Sequence, residues 1–256
     1  MTSNPYESPE TPEAAIEHPQ SGPRLKIFAY VVGAFVILGL LVAMMLPMAR
    51  RGGGREAARR NACLNNMRQI GLAILNYESE HGTLPPAYTV DENGNRLHSW
   101  RTLILPYIEE QALYESIDLT KPWDHPDNAA AFEVVPSIFV CPSSPWSEDL
   151  MTYMAVEGPD CCFNGSTPRS LAEITDGSSK TIMVIEVGEK HAVHWMEPKD
   201  ADDATIESFA PDWATGHNGI VIASFVDNHT RSISLETPRE NLRAMLTIAG
   251  GEEIEE

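Results

Sequence analysis

The chain has 256 residues, 43% hydrophobic and 21% charged, with a formal net charge of -19, which excludes both a wholly disordered chain and a protein of many membrane spans. From residue 61 onward 11 Lys and Arg stand against 32 Asp and Glu, a net of -21 by subtraction. Such a domain offers no basic surface for phosphates, so nucleic acid is not expected as a partner. Its acidity reads as a solvated, solubilising surface.

Residues 1–23 place Pro5, Pro9, Pro12, Pro19 and Pro23 among Ser, Thr and Glu and read as a disordered tail. From Leu25 to Leu46 the one charge is Lys26. Twenty-two residues of helix rise about 33 Å, enough for the hydrocarbon core of a bilayer, so residues 24–47 are expected to form a transmembrane helix that Pro47 ends or kinks. The span is long for a signal-peptide core and no small-x-small cleavage site follows it, so an uncleaved anchor is expected, with the lipid bilayer as partner. Residues 48–55 read as a basic linker broken by Gly52-Gly53-Gly54. Arg50, Arg51, Arg55, Arg59 and Arg60 form a collar for anionic head groups, and by the positive-inside rule it would hold the domain in the cytoplasm.

One domain is expected over residues 56–256, α+β in class. Cys63, Met67, Ile70, Ile74 and Tyr77 recur in steps of four and three and make the apolar stripe of a long amphipathic helix, stopped by His81-Gly82 and Pro85-Pro86. A turn at Glu92–Asn95 separates Tyr88–Val90 from the segment beginning at Leu97, and Trp100–Tyr114 suits a helix interrupted at Pro106. Ser137–Val140 and Thr152–Val156 are short strand candidates, while Thr181–Val187 and Gly219–Val226 are clearer ones. Asp227-Asn228 has the composition of a two-residue hairpin turn returning through Arg231–Leu235. Residues 238–249 suit a terminal helix closing at Gly250-Gly251.

No string marks a catalytic nucleophile or a phosphate cradle: G-x-S-x-G and G-x-x-x-x-G-K are both absent. Neither catalytic nor cofactor-binding residues are assigned. His191, His194, His217, His229, Asp212 and Asp227 could supply metal ligands but show no tight ligand spacing, so no metal site is assigned. His217 and Asp227, ten residues apart, would stand about 33 Å apart along a straight strand and cannot act as a dyad. Trp100, Trp123, Trp146, Trp195 and Trp213 are candidate stacking platforms, more often core and loop anchors.

Several strings resemble the planctomycete family called domain of unknown function 1559. They are Arg55–Ala73, Leu84-Pro85-Pro86, Ser99-Trp100-Arg101 with Leu105–Glu109, Pro122-Trp123-Asp124, Phe139–Ser143, Tyr153–Val156 and Ile174–Ile182. The spacing from His217 to Asp227 resembles the H-x9-D-G element of many members, with Asn228 where the family has Gly. Asn also tolerates the left-handed backbone region. The resemblance implies a pilin-like exported protein, brings no activity with it, and belongs to a family once catalogued with extracellular solute-binding proteins. The prepilin leader is absent, so the N-terminus is expected to stay intact. Cys63 and Cys141 fall within the family's strings, and export would make a disulfide between them useful. Cys161 and Cys162 are left unassigned, other pairings remain possible, and four reduced thiols are the alternative.

The expected function is that of a membrane-anchored, non-enzymatic, pilin-like envelope protein, its domain on the periplasmic or extracellular side, acting through envelope protein partners or surface contacts. An anchored solute- or glycan-binding module is the alternative, with a metal-dependent hydrolase third.

Overall fold

A computed structural model describes residues 23–49, 51–144, 149–211 and 213–252. The expected N-terminal tail lies outside these residues except for Pro23. Two compact units divide between Gly53 and Gly54. In the first, helix α1 runs Pro23–Ala49. Proline at its first position is favoured because no helical partner awaits the missing N–H. The helix continues two residues past Pro47 instead of ending there. Ile27, Phe28, Phe35 and Leu40 are exposed, and among the described residues α1 is the one helix long and apolar enough to cross a membrane.

Helix α2 runs Arg51–His81 and takes up Gly52–Gly54, where the sequence suggested a flexible break. Glycine in a helix costs about 1 kcal/mol relative to alanine, which disfavours the helix without forbidding it. The stripe is realised: Cys63, Met67, Ile70, Ala73 and Ile74 are fully buried, whereas Leu72 on the far side is half exposed. Each buried Met or Ile contributes about 1.5–3 kcal/mol. Gly82, at φ 78°, ends the helix as expected, its N–H bonded to the Glu78 carbonyl at 2.7 Å.

Strands β1 (Tyr88–Val90) and β2 (Arg96–Ser99) form a small antiparallel hairpin. Its turn is organised by the Asp91 carboxylate, which accepts from the N–H groups of Asn93 and Asn95. Helix α3 (Trp100–Leu103), capped by Ser99, and helix α4 (Gln111–Glu115) replace the single interrupted helix of the sequence reading, with a 3-10 turn at Leu105–Ile108 between them. After helix α5 (Ala129–Phe132), Ser137–Phe139 is a 3-10 turn and not a strand. Pro136 fixes the entry to that turn, and the Phe139 N–H donates to the Pro136 carbonyl, so it is not available to a sheet.

Strand β3 (Tyr153–Ala155), strand β4 (Ile182–Glu186), helix α6 (Asp203–Glu207), strand β5 (Ile220–Phe225), strand β6 (Thr230–Ser234) and helix α7 (Arg239–Ala244) complete the domain. The four strands form one antiparallel sheet in the order β3-β4-β5-β6. Every residue of β4 is buried, so this strand is covered on both faces. The terminal helix is shorter than expected because the Met245 and Ile248 carbonyls accept from Ile182, Thr175 and Asp176 rather than from a further helical turn. The class is α+β, a long helix with antiparallel sheets.

A buried ion pair locks the middle of this domain. Arg101 Nη2 lies 2.6 Å from Asp200 Oδ1, with both side chains inaccessible to solvent. The same oxygen accepts from Trp100 Nε1 and the Ala155 N–H, both at 2.9 Å, while the guanidinium also donates to Ser99 Oγ and the Tyr153 carbonyl. Arg101 Nε and Asp200 Oδ2 find no partner among the described residues, but the other contacts compensate the burial, and removing one partner would strand the other charge at about 3–5 kcal/mol.

The β5–β6 hairpin turns through three residues, Val226-Asp227-Asn228, one more than its composition suggested. Phe225 N–H donates to the His229 carbonyl at 3.0 Å, Asn228 N–H to the Phe225 carbonyl at 2.9 Å, and Asn228 stands at φ 66°. A turn closed by a left-handed residue is the common three-residue hairpin. Here α2 comes closest to the hairpin: a Cβ on Gly71 would lie 2.5 Å from Asn228 Oδ1 and 2.6 Å from Ser224 Oγ. Gly71→Ala is therefore expected to lower stability by about 1–3 kcal/mol. The loss should shrink in an Asn228→Gly background, which removes one obstructing atom and suits the positive φ, whereas Asn228→Val should destabilise on its own. Denaturant midpoints of the four cycle members test this; identical costs of Gly71→Ala in both backgrounds would count against the contact.

Candidate functional site

Segments distant in sequence converge on one buried cluster. The α2 stripe supplies Cys63, and the 3-10 turn at Ser137–Phe139 leads into Cys141; the two are joined as a disulfide with Cα atoms 5.3 Å apart across 78 positions. His217 enters from the loop before β5. Its Nε2 lies 3.5 Å from Cys141 Sγ and 3.8 Å from Glu186 Oε2 at the end of β4, while its Nδ1 faces Glu56 Oε1 at 3.7 Å. Glu56 is itself held by Arg59 at 2.6 Å. Gly216 permits the approach, because a Cβ there would come within 3.0 Å of the backbone of Ser143 and Ser144.

Burial sets the charge state. Glu186 is pushed up to about 8, one of its oxygens accepting the Ile222 N–H at 3.2 Å and the other, Oε1, meeting no donor among the described residues. His217 is pulled down by burial, with Glu56 acting in the opposite direction. The two groups are within ion-pair reach, yet burial disfavours charge on each, so at neutral pH a neutral imidazole faces a protonated carboxyl. Tyr153, opposite Glu186 in the β3–β4 register, likewise has its phenol pushed up, by burial first and by that carboxyl second.

The other candidate residues lie elsewhere. Asp227 caps the hairpin loop, accepting from the His229 N–H and facing its ring nitrogen at 2.5 Å, while His217 sits beyond the opposite end of β5. His191 contacts Ser208 Oγ at 2.9 Å, whereas His194 stacks on Phe132 and contacts that residue's carbonyl, so the two histidines have separate partners. Asp212 and Trp146 lie outside the described residues. Trp100 and Trp195 are fully buried and cannot be stacking platforms; Trp123 and Trp213 are partly covered by Phe132 and Phe209. Cys161 and Cys162 are free thiols, Cys161 pushed up to about 12 and Cys162 also upward, each chiefly by burial. A cleft of about 270 Å³ beside Cys161 is lined by Glu157, Asp160, Asp202, Asp203 and Arg243.

Glu186 and Glu56 escaped the sequence reading. For Glu186 a signal existed: it is the one charge in the apolar run Thr181–Val187, and a charged residue in a buried strand needs a reason. Nothing distinguished Glu56 from its neighbours.

The fold and cluster define an α+β domain whose long helix is cross-linked to a mid-chain loop, preceded by an apolar helix of membrane-spanning length. Residues 53–161 match the model of the family described as protein of unknown function (DUF1559). The matched segment contains Glu56, Cys63 and Cys141; His217, Asp227 and Asn228 lie beyond it. No curated protein and no solved structure matches the chain.

The buried carboxyl makes stability depend on pH in a defined direction. Between the ordinary carboxyl value of 4.5 and about 8, Glu186 ionises in the unfolded chain but stays protonated in the fold, so its contribution falls as pH rises. The lowered His217 acts oppositely, costing stability as pH falls below 6.5, and that effect is common to wild type and variant. Glu186→Gln is expected to gain about 3 kcal/mol on wild type between pH 5 and pH 7.5. Urea melts at both values check it; a pH-independent difference would refute the assignment.

Proposed function

We propose that the protein is a single-pass, membrane-anchored, non-enzymatic pilin-like protein of the cell envelope. Its domain faces the exported side and works through contacts with other proteins or with the cell surface. The observation that carries this reading is the Cys63–Cys141 disulfide, which ties the helix nearest the anchor to the middle of the domain and suits an oxidising compartment. The length of α1 and the absence of charge from Ile27 to Leu46 support its role as the anchor. A long amphipathic helix whose apolar stripe joins the core of an antiparallel sheet supports the pilin-like comparison.

The basic collar favours the opposite topology. Part of its charge is already engaged, since Arg59 is bound by Glu56. The positive-inside preference counts Lys and Arg near the span and is a bias, not a law. A structural role for the cluster is supported by its burial: Cys63, Cys141, His217 and Glu186 are each at most 3% exposed, so a substrate could not touch them without opening the domain. Envelope proteins that act by contact also need no product-release path.

Topology and cross-link are tested together by adding protease to intact spheroplasts and mapping the peptides without reductant. Digestion within residues 61–256 and recovery of Cys63 and Cys141 in one linked peptide are expected. Full protection of the domain with four alkylatable cysteines would place it in the cytoplasm and end this reading.

A further inference from the structure

The geometry points to a second occupant for the buried cluster: in its dithiol form the protein binds one thiophilic divalent cation, of the Zn²⁺ type, between Cys63, Cys141, His217 and Glu186. Disulfide and metal are then alternative states of one site. None of the four residues lies in the apolar helix, so the site stands whichever side of a membrane the domain faces.

The two Cys sulfurs and a His217 ring nitrogen all lie within 4.8 Å of one another. Around a tetrahedral zinc, with bonds of about 2.0–2.3 Å, ligand atoms sit about 3.3–3.8 Å apart. One edge of such a tetrahedron is already present, Cys141 Sγ to His217 Nε2 at 3.5 Å; Glu186, whose Oε2 lies 3.8 Å from His217 Nε2, stands outside the group of three and joins it by turning its unpartnered Oε1 toward the sulfurs. Opening the S–S bond frees both sulfurs to part by side-chain rotation.

Two further observations point to a ligand. The Glu186 carboxyl is 1% exposed, and its Oε1 has no hydrogen-bond partner, an arrangement that is costly unless the oxygen serves something. His217 also uses its two nitrogens differently: Nε2 faces the cluster, while Nδ1, without a hydrogen-bond partner among the described residues, looks toward the Glu56 carboxylate 3.7 Å away, within reach of a small approach. A carboxylate behind a ligating histidine orients the ring and raises its basicity, the usual outer support of a metal-bound imidazole. The disulfide does not require that support. The ligand set also selects the cation: two thiolates with an imidazole suit Zn²⁺ or Co²⁺ and disfavour Mg²⁺ and Ca²⁺, which prefer oxygen.

The exchange balances. A reductant of the thiol class gives the disulfide two electrons and two protons, breaking S–S and forming two S–H groups. The cation then displaces those two thiol protons and the Glu186 carboxyl proton, forming two metal–sulfur bonds, one metal–nitrogen bond and one metal–oxygen bond.

Full-length protein in mild detergent, reduced with a phosphine and desalted without oxygen, is titrated with Co²⁺ and then Zn²⁺. One equivalent of Co²⁺ with sulfur-to-cobalt charge-transfer bands and tetrahedral visible bands, displaced by one equivalent of Zn²⁺, is expected. The oxidised protein should bind none. Cys161→Ser and Cys162→Ser should leave the spectrum unchanged, and His217→Ala should abolish the tetrahedral bands. Glu56→Gln, at an exposed position that leaves the core intact, should weaken binding about 10-fold or more with the spectrum retained. The site is refuted if reduced wild type binds no Co²⁺, if Cys161 or Cys162 proves to be the sulfur ligand, or if Glu56→Gln and His217→Ala both bind as wild type.

Discussion

Helix α2 joins the core of the sheet through Met67, Ile70 and Ile74, and at Gly71 it comes so close to β5 that no side chain fits between them. The remainder of the domain is arranged around that contact. Because the helix is seated there, Cys63 one turn above Met67 meets Cys141, and Glu56 two turns further on reaches His217. The apolar stripe supplies adhesion without direction. Register comes from the points where only one arrangement is sterically allowed, Gly71 against the hairpin and the disulfide at the other end.

The buried polar groups divide into two kinds. Arg101 and Asp200 are opposite charges with nearly every donor and acceptor engaged, and they hold β3, the α3 turn and the segment around Lys199 in one arrangement. His217 and Glu186 are neutralised by burial and leave polar atoms unpaired. The first arrangement leaves only Arg101 Nε and Asp200 Oδ2 without a partner among the described residues. The second has fewer partners, with Glu186 Oε1 and His217 Nδ1 both unbonded, and each buried polar group left so calls for an explanation.

Four of the strings that resemble one family serve these two structures. Ser99-Trp100-Arg101 and Tyr153–Val156 build the ion pair, while Arg55–Ala73, Phe139–Ser143 and the position of His217 build the cluster. His217 and Asp227, though paired by their spacing in sequence, belong to opposite ends of one strand: the histidine to the cluster, the aspartate to the hairpin loop beside Asn228. Their separation in this sequence spans β5 and brings no shared chemistry.

The sequence by itself determined what depends on local periodicity and backbone chemistry. The apolar span, the stripe on α2, its stop at Gly82, the strands at Ile182–Glu186 and Ile220–Phe225, and a left-handed residue at Asn228 all follow from side-chain period and allowed φ. Segments whose hydrogen bonds go to distant partners were decided only by the tertiary structure. Ser137–Val140 is apolar enough for a strand but is turned by Pro136 and held by Phe139 and Cys141 in the core, and α7 stops at Ala244 because the Met245 and Ile248 carbonyls beyond it serve Ile182 and Thr175. The cluster was equally out of reach, since its distances join residues from 56 to 217 and its unusual protonation arises from burial, a property no local pattern carries.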